Sequence, residues 1–147
     1  IPLGQGRRIK TGKDLAILSI GAIGTQATEA ILELEKRGID AAHYDMRFVK
    51  PLDEIMLHEV FGQFDHVITL EDGCVMGGFG SAVLEFMGDN NYRASVKRLG
   101  LPDAYVEHGT QAELYAENKY DSAAILATAE EMLAAAGAGS ARSIQRA

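Results

Sequence analysis

Apolar positions along this chain fall into two alternating arrangements, short continuous runs and longer runs with helical spacing. Asp14-Leu-Ala-Ile-Leu-Ser-Ile20 is continuous, the pattern of a strand buried on both faces of a parallel sheet. After a turn over Gly21–Thr25, Ala27, Ala30, Ile31 and Leu34 recur at i, i+3, i+4 and i+7, which predicts an amphipathic helix. Gly38 behind Lys36-Arg37 marks its C-terminus. Ala41–Met46 reads as a second strand. A helix then starts at Lys50-Pro51-Leu52-Asp53, with Asp53 as N-cap. Met56, Leu57, Val60 and Phe61 form its apolar face and Gly62 its stop.

The pattern continues in the second half. Asp65–Leu70 predicts a strand, Ser81–Met87 a helix, and Gly88–Asn91 a turn cluster. Ser95–Leu99 reads as a weaker strand. Thr110-Gln-Ala-Glu113 is a capping box that opens a further helix. Asp121 caps the last helix, whose face is Ile125, Ala129, Met132 and Leu133. Arg8–Lys10, before Thr11-Gly12-Lys13, is a short polar candidate for an edge strand. From Ala134 the chain turns to Ala, Gly and Ser, so we expect one domain over 1–133 and a frayed or flexible tail over 134–147. Alternation of strands and helices throughout argues a mainly parallel sheet with helices on both faces.

A length of 147 residues suits a single domain able to bury its own core. The net charge of −7 argues against nucleic acid as partner and against docking on an anionic membrane. No apolar run approaches the roughly 20 residues of a membrane span. Cys74 is the only cysteine, which rules out an internal disulfide and fits a reduced, cytoplasmic setting. The chain opens on Ile1-Pro2-Leu3-Gly4 without an initiator Met, and we expect a fragment of a longer protein.

Candidate chemistry concentrates in Glu71-Asp-Gly-Cys-Val-Met-Gly-Gly-Phe-Gly-Ser81, between a strand and a helix. Free amides at such a helix start can hold a phosphate. Against this, Val83 stands where the third glycine of a dinucleotide fingerprint would fall, and no Gly-Lys-Ser/Thr is present. Glu71 and Asp72 would also repel an anion. The competing reading of Gly77, Gly78, Phe79, Gly80 and Ser81 is a tight turn that exploits glycine. Adjacent strand residues point to opposite faces, so Glu71 and Asp72 make a poor acid–base pair. Each is expected to be solvated or to sit at an interface. Arg47, Lys50 and Asp53 gather at another strand end. Arg47 either pairs with Glu71 or Asp72 or stays solvated. His43, His58, His66 and His108 match no metal-ligand spacing, and only His108, beside Gly109, stands as a site candidate. We therefore assign no catalytic, cofactor-binding or metal-binding residue to this chain.

Several motifs carry a family resemblance. They are Gly12-Lys13-Asp14, Asp45-Met-Arg-Phe-Val-Lys-Pro-Leu-Asp53, Thr69-Leu-Glu-Asp-Gly73 with Gly77-Gly-Phe-Gly-Ser81, Leu99-Gly-Leu-Pro-Asp103 and His108-Gly-Thr110. In this order they resemble the C-terminal domain of the 1-deoxy-D-xylulose-5-phosphate synthases, thiamine-diphosphate enzymes of the transketolase superfamily. Transketolase itself and the 2-oxoacid dehydrogenase β subunit have looser versions. A free-standing anion-binding regulatory domain is the alternative from another class. The resemblance implies a three-layer α/β/α sandwich around a five-stranded, mostly parallel mixed sheet with one antiparallel edge strand, supplied by Arg8–Lys10. It further implies that thiamine diphosphate and Mg²⁺ are held by upstream domains and that this domain serves interdomain and homodimer packing. Arg47, Lys50, Asp53, Glu71, Asp72, Gly77–Ser81 and His108 are then the interface candidates.

Overall fold

A computed structural model describes residues 1–106 and 108–144, with side chains through 137. The elements are β1 (Arg7–Lys10), β2 (Leu15–Ile20), α1 (Gly24–Lys36), β3 (Ala41–Asp45) and α2 (Glu54–Gln63). They continue as β4 (His66–Cys74), α3 (Phe79–Asp89), β5 (Ser95–Leu101), α4 (Gln111–Glu117) and α5 (Ser122–Ile144). The five strands lie in the order β1-β3-β2-β4-β5. β1 runs antiparallel along β3, and the remaining pairs are parallel. The sandwich and its antiparallel edge strand are as expected.

Each central strand feeds two cores because its side chains alternate between faces. Leu15 and Ile17 of β2 and Ile68 and Leu70 of β4 pack with Leu34 of α1 and Ile125 and Met132 of α5. Ala16, Leu18 and Val67 pack on the other face with Leu57 and Val60 of α2 and Phe79 and Val83 of α3. These strands therefore read as unbroken apolar runs instead of alternating ones.

The caps form where the side chains predicted them. Asp53 Oδ1 accepts from the Met56 amide at 2.9 Å. Thr110 and Glu113 close the capping box. Asp121 Oδ1 accepts from the Ala124 amide at 2.9 Å.

Several boundaries differ from expectation; β4 and β5 run on to Cys74 and Leu101, past the expected Leu70 and Leu99. α2 passes through Gly62 and ends at Gln63, before Phe64, whose ring is buried and whose backbone turns extended. α3 begins at Phe79 and so takes in part of the glycine loop. α5 continues beyond Leu133 to Ile144, where we expected a frayed tail. Alanine is the best helix former, and extending an established helix costs no new nucleation. Residues 145–147 of the expected tail lie outside the described residues.

Candidate functional site

β2 and β4 are neighbours whose outgoing helices, α1 and α3, cover opposite faces of the sheet. Their carboxyl ends therefore form the switch point where α/β sheets open a crevice. β4 carries Glu71–Cys74 to this point, and the loop to α3 leaves it there. Glu71 is only 5% exposed, and its carboxylate reaches forward to the start of α3. Oε2 accepts from the Phe79 amide at 2.7 Å and Oε1 from the Gly80 amide at 2.9 Å. A carboxylate at a helix N-terminus satisfies donors that have no intrahelical partner and faces the positive end of the helix dipole. The position a phosphate would need is thus filled by the protein's own anion. This overturns the expectation of a solvated Glu71, and it argues against an anion held by the Gly78–Ser81 amides.

Two glycines make this geometry possible. Gly77 has φ of +71°, a conformation that favours glycine. A Cβ on Gly78 would overlap the Glu71 carboxylate and the Cys74 carbonyl oxygen. Ser81 ties the loop back on itself. Its hydroxyl accepts from the Gly77 amide at 3.0 Å and from Arg98 Nη1 at 2.9 Å, and donates to the Val75 carbonyl at 2.9 Å. Phe79 and Gly80 are buried, so they support the loop from below.

Asp72 points to the opposite face, as strand alternation requires. Its Oδ2 accepts from the Tyr115 hydroxyl at 2.9 Å and its Oδ1 from the Tyr120 hydroxyl at 3.3 Å. It thereby holds α4, and the turn after it, onto the end of β4. Burial, reinforced by Asp72, pushes the Tyr120 phenol up to about 12 and also raises Tyr115. A shallow cleft of about 460 Å³ lies over this cluster, and exposed His108 is on its rim.

The Arg47 corner is also satisfied internally. Arg47 has φ of +59°, and its Nε lies 3.6 Å from Asp45 Oδ2. It does not reach Glu71 or Asp72, because the left-handed backbone turns it back along its own strand. Besides capping α2, Asp53 accepts from the Gly6 amide through Oδ2 at 2.8 Å. Lys50 is exposed.

One polar pair escaped the sequence reading. Ser19 Oγ and His43 Nε2 lie 2.8 Å apart, and both residues are buried. Adjacent β2 and β3 carry them on the same face of the sheet. A cleft of about 290 Å³ opens over them, walled by Arg7 and Ile9 of β1, Asp45 of β3, and Thr25 and Thr28 of α1. Burial pushes the His43 imidazole down to about 4; Asp45 opposes the shift and Arg7 adds to it. The imidazole is therefore neutral near pH 7. The signal available in the sequence was a histidine inside an apolar strand, which needs a partner once buried.

Among the described residues no three His, Cys, Asp or Glu side chains converge as a metal site, and no helix is long and apolar enough to cross a membrane. The diphosphate of thiamine diphosphate finds no cradle at α3, whose first amides are taken by Glu71.

Comparison with known proteins places this geometry. Residues 4–125 match the family model described as the transketolase C-terminal domain. A 1-deoxy-D-xylulose-5-phosphate synthase from Cytophaga hutchinsonii is 57% identical over 132 residues, which is 90% of this chain and 21% of that protein. The synthase of Bacteroides thetaiotaomicron is 58% identical over 116 residues, 78% of this chain and 18% of that protein. The chain thus spans about a fifth of the length of these curated relatives. Among solved structures, one described as a split gene transketolase, inactive beta4 tetramer, superposes with a TM-score of 0.84. It is 32% identical and covers 91% of this chain and 44% of its own. On the family match over most of its length, with the expected sheet order in place, the chain belongs to the transketolase C-terminal domain family.

Proposed function

We propose that this chain is the C-terminal domain of a thiamine-diphosphate-dependent 1-deoxy-D-xylulose-5-phosphate synthase. The whole enzyme would join pyruvate to glyceraldehyde 3-phosphate with loss of CO₂. Its product would serve isoprenoid, thiamine and pyridoxal synthesis in the cytoplasm. Thiamine diphosphate with Mg²⁺ supplies the carbanion chemistry when bound, and the residues that hold it belong to the domains that precede this one. The role of this domain is packing, against those domains and within a homodimer.

The observation that carries this reading is the occupied N-terminus of α3. Glu71, at the sheet's switch point, is hydrogen-bonded to its own loop and aims no free group at a ligand. A domain whose crevice is closed by its own carboxylate contributes shape more than chemistry. Gly77 and His108, expected interface residues that stay exposed, lie in loops beyond carboxyl strand ends, which supports the carboxyl edge as the packing face.

The test compares the product of the complete gene with the 147-residue chain. The complete protein should form 1-deoxy-D-xylulose 5-phosphate from the two substrates. The chain alone should do neither chemistry nor cofactor binding. Micromolar binding of thiamine diphosphate to the chain alone, measured by calorimetry, would refute the packing role.

A further inference from the structure

The charged residues that mark the carboxyl edge in the sequence are engaged inside the domain. Glu71 caps α3, Asp72 holds Tyr115 and Tyr120, Asp53 holds Met56 and Gly6, and Arg47 leans on Asp45. Beside exposed Lys50 and His108, this edge presents three large apolar side chains. Ile55, Met76 and Tyr105 are 85%, 68% and 89% exposed. Ile55 lies in the first turn of α2, Met76 in the loop from β4 to α3, and Tyr105 in the loop from β5 to α4. These segments follow the carboxyl ends of β3, β4 and β5, which are parallel, so all three belong to one edge of the sheet. β3 and β5 stand three strand spacings apart, and the row is on the order of 15 Å wide.

The chain enters the domain at the same edge. β1 is antiparallel, and its first residue, Arg7, pairs with Asp45 at the carboxyl end of β3. Before it, the Gly6 amide donates to Asp53, and Gly4 packs against Pro51. Ile1 and Leu3, 90% and 74% exposed, lie in this entering segment. The other exposed large apolar residues among those described, Ile9 and Leu32, lie on β1 and α1.

We infer that Ile55, Met76 and Tyr105 are the apolar anchors that dock this domain on the polypeptide preceding it in the same chain. This rests on the reading of the chain as the C-terminal domain of a longer enzyme. The occupant is the preceding polypeptide for two reasons. The matched relatives are about five times longer and the matched model is a C-terminal domain, so on this reading polypeptide precedes the domain. The covalent connection then delivers it to this edge at high effective concentration, where a modest apolar contact suffices. The facing surface is correspondingly apolar and low in charge, as the centres of interfaces are. The motif residues Arg47, Asp53, Glu71 and Asp72 hold the anchor-bearing loops in position and are not themselves the contact.

The experiment uses the complete protein carrying Ile55→Ser, Met76→Ser and Tyr105→Ser together, with Lys50→Ala as the charged control at the same edge. All of these residues are exposed, so substitution costs the fold itself little. Limited proteolysis of the segment before Gly4 is followed by mass spectrometry, and assembly by light scattering. The triple variant should be cut at least tenfold faster, releasing a domain that resists further digestion, while Lys50→Ala stays within twofold of the parent. Unchanged cleavage of the triple variant overturns the inference. So does loss of subunit association with unchanged cleavage, which would assign the three residues to a contact between copies. Synthase activity of the unsubstituted protein separates the two readings. An active enzyme with unchanged cleavage keeps the enzyme reading and removes the docking one, whereas an inactive protein with accelerated cleavage does the reverse.

Discussion

Glu71→Ala is the substitution that tests most directly how the central loop is held. It removes the acceptor of two buried amides, at 2.7 Å from Phe79 and 2.9 Å from Gly80. Hydrogen bonds to a charged acceptor contribute about 1.5–3 kcal/mol each, and unsatisfied buried donors keep their desolvation cost. A side chain only 5% exposed leaves little room for water to replace it. The expected loss is about 3–5 kcal/mol, a large share of the roughly 5–15 kcal/mol that stabilises a domain. With a urea slope of about 2 kcal/mol/M, the unfolding midpoint should fall by about 1.5–2.5 M. Since the chain has no tryptophan, unfolding is followed by circular dichroism at 222 nm. Glu71→Gln keeps one acceptor oxygen and turns an NH₂ toward the other amide, so it should recover part of the loss and not all of it. A midpoint shift under about 0.3 M for Glu71→Ala, or equal effects of Ala and Gln, would refute a carboxylate cap worth two charge-assisted bonds.

Gly78→Ala places a methyl group on the same carboxylate and on the Cys74 carbonyl; it should destabilise by about 1–3 kcal/mol and speed amide exchange of Phe79 and Gly80, measured by hydrogen–deuterium exchange. His43 makes stability depend on acid. Its folded value near 4 lies below the ordinary 6.5, so the unfolded chain binds the extra proton between them. Stability should therefore fall as pH drops from about 6.5 to about 4, by up to about 3 kcal/mol, and His43→Gln should flatten that part of a urea-midpoint profile. At the alkaline end, Tyr120 is raised from 10.0 to about 12. Its folded form keeps the proton longer, so its contribution is complete below about pH 10 and is lost as pH rises toward 12. Asp72→Asn should bring the Tyr120 transition down in an ultraviolet titration at 295 nm.

Chain order and local caps were legible because they depend on neighbours in sequence. Apolar periodicity located β2, α1, β3 and β4, and side chains three residues from the amides they serve located the caps at Asp53, Thr110 and Asp121. Alternation along β4 already sent Glu71 and Asp72 to opposite faces. The destinations of these carboxylates were decided in three dimensions. Glu71 meets amides eight and nine residues ahead only because Gly77 and Gly78 fold the loop over it. Asp72 meets tyrosines more than forty residues away only because α4 packs on the end of β4. Arg47 turned back to Asp45 through a left-handed backbone that its side chain does not announce. Ser19 and His43 became a pair when β2 and β3 aligned in register. Hydrophobic burial repeats with the period of the backbone, so a linear sequence displays it. A polar group's partner depends on where loops and sheet register carry it, and that is a property of the folded chain alone.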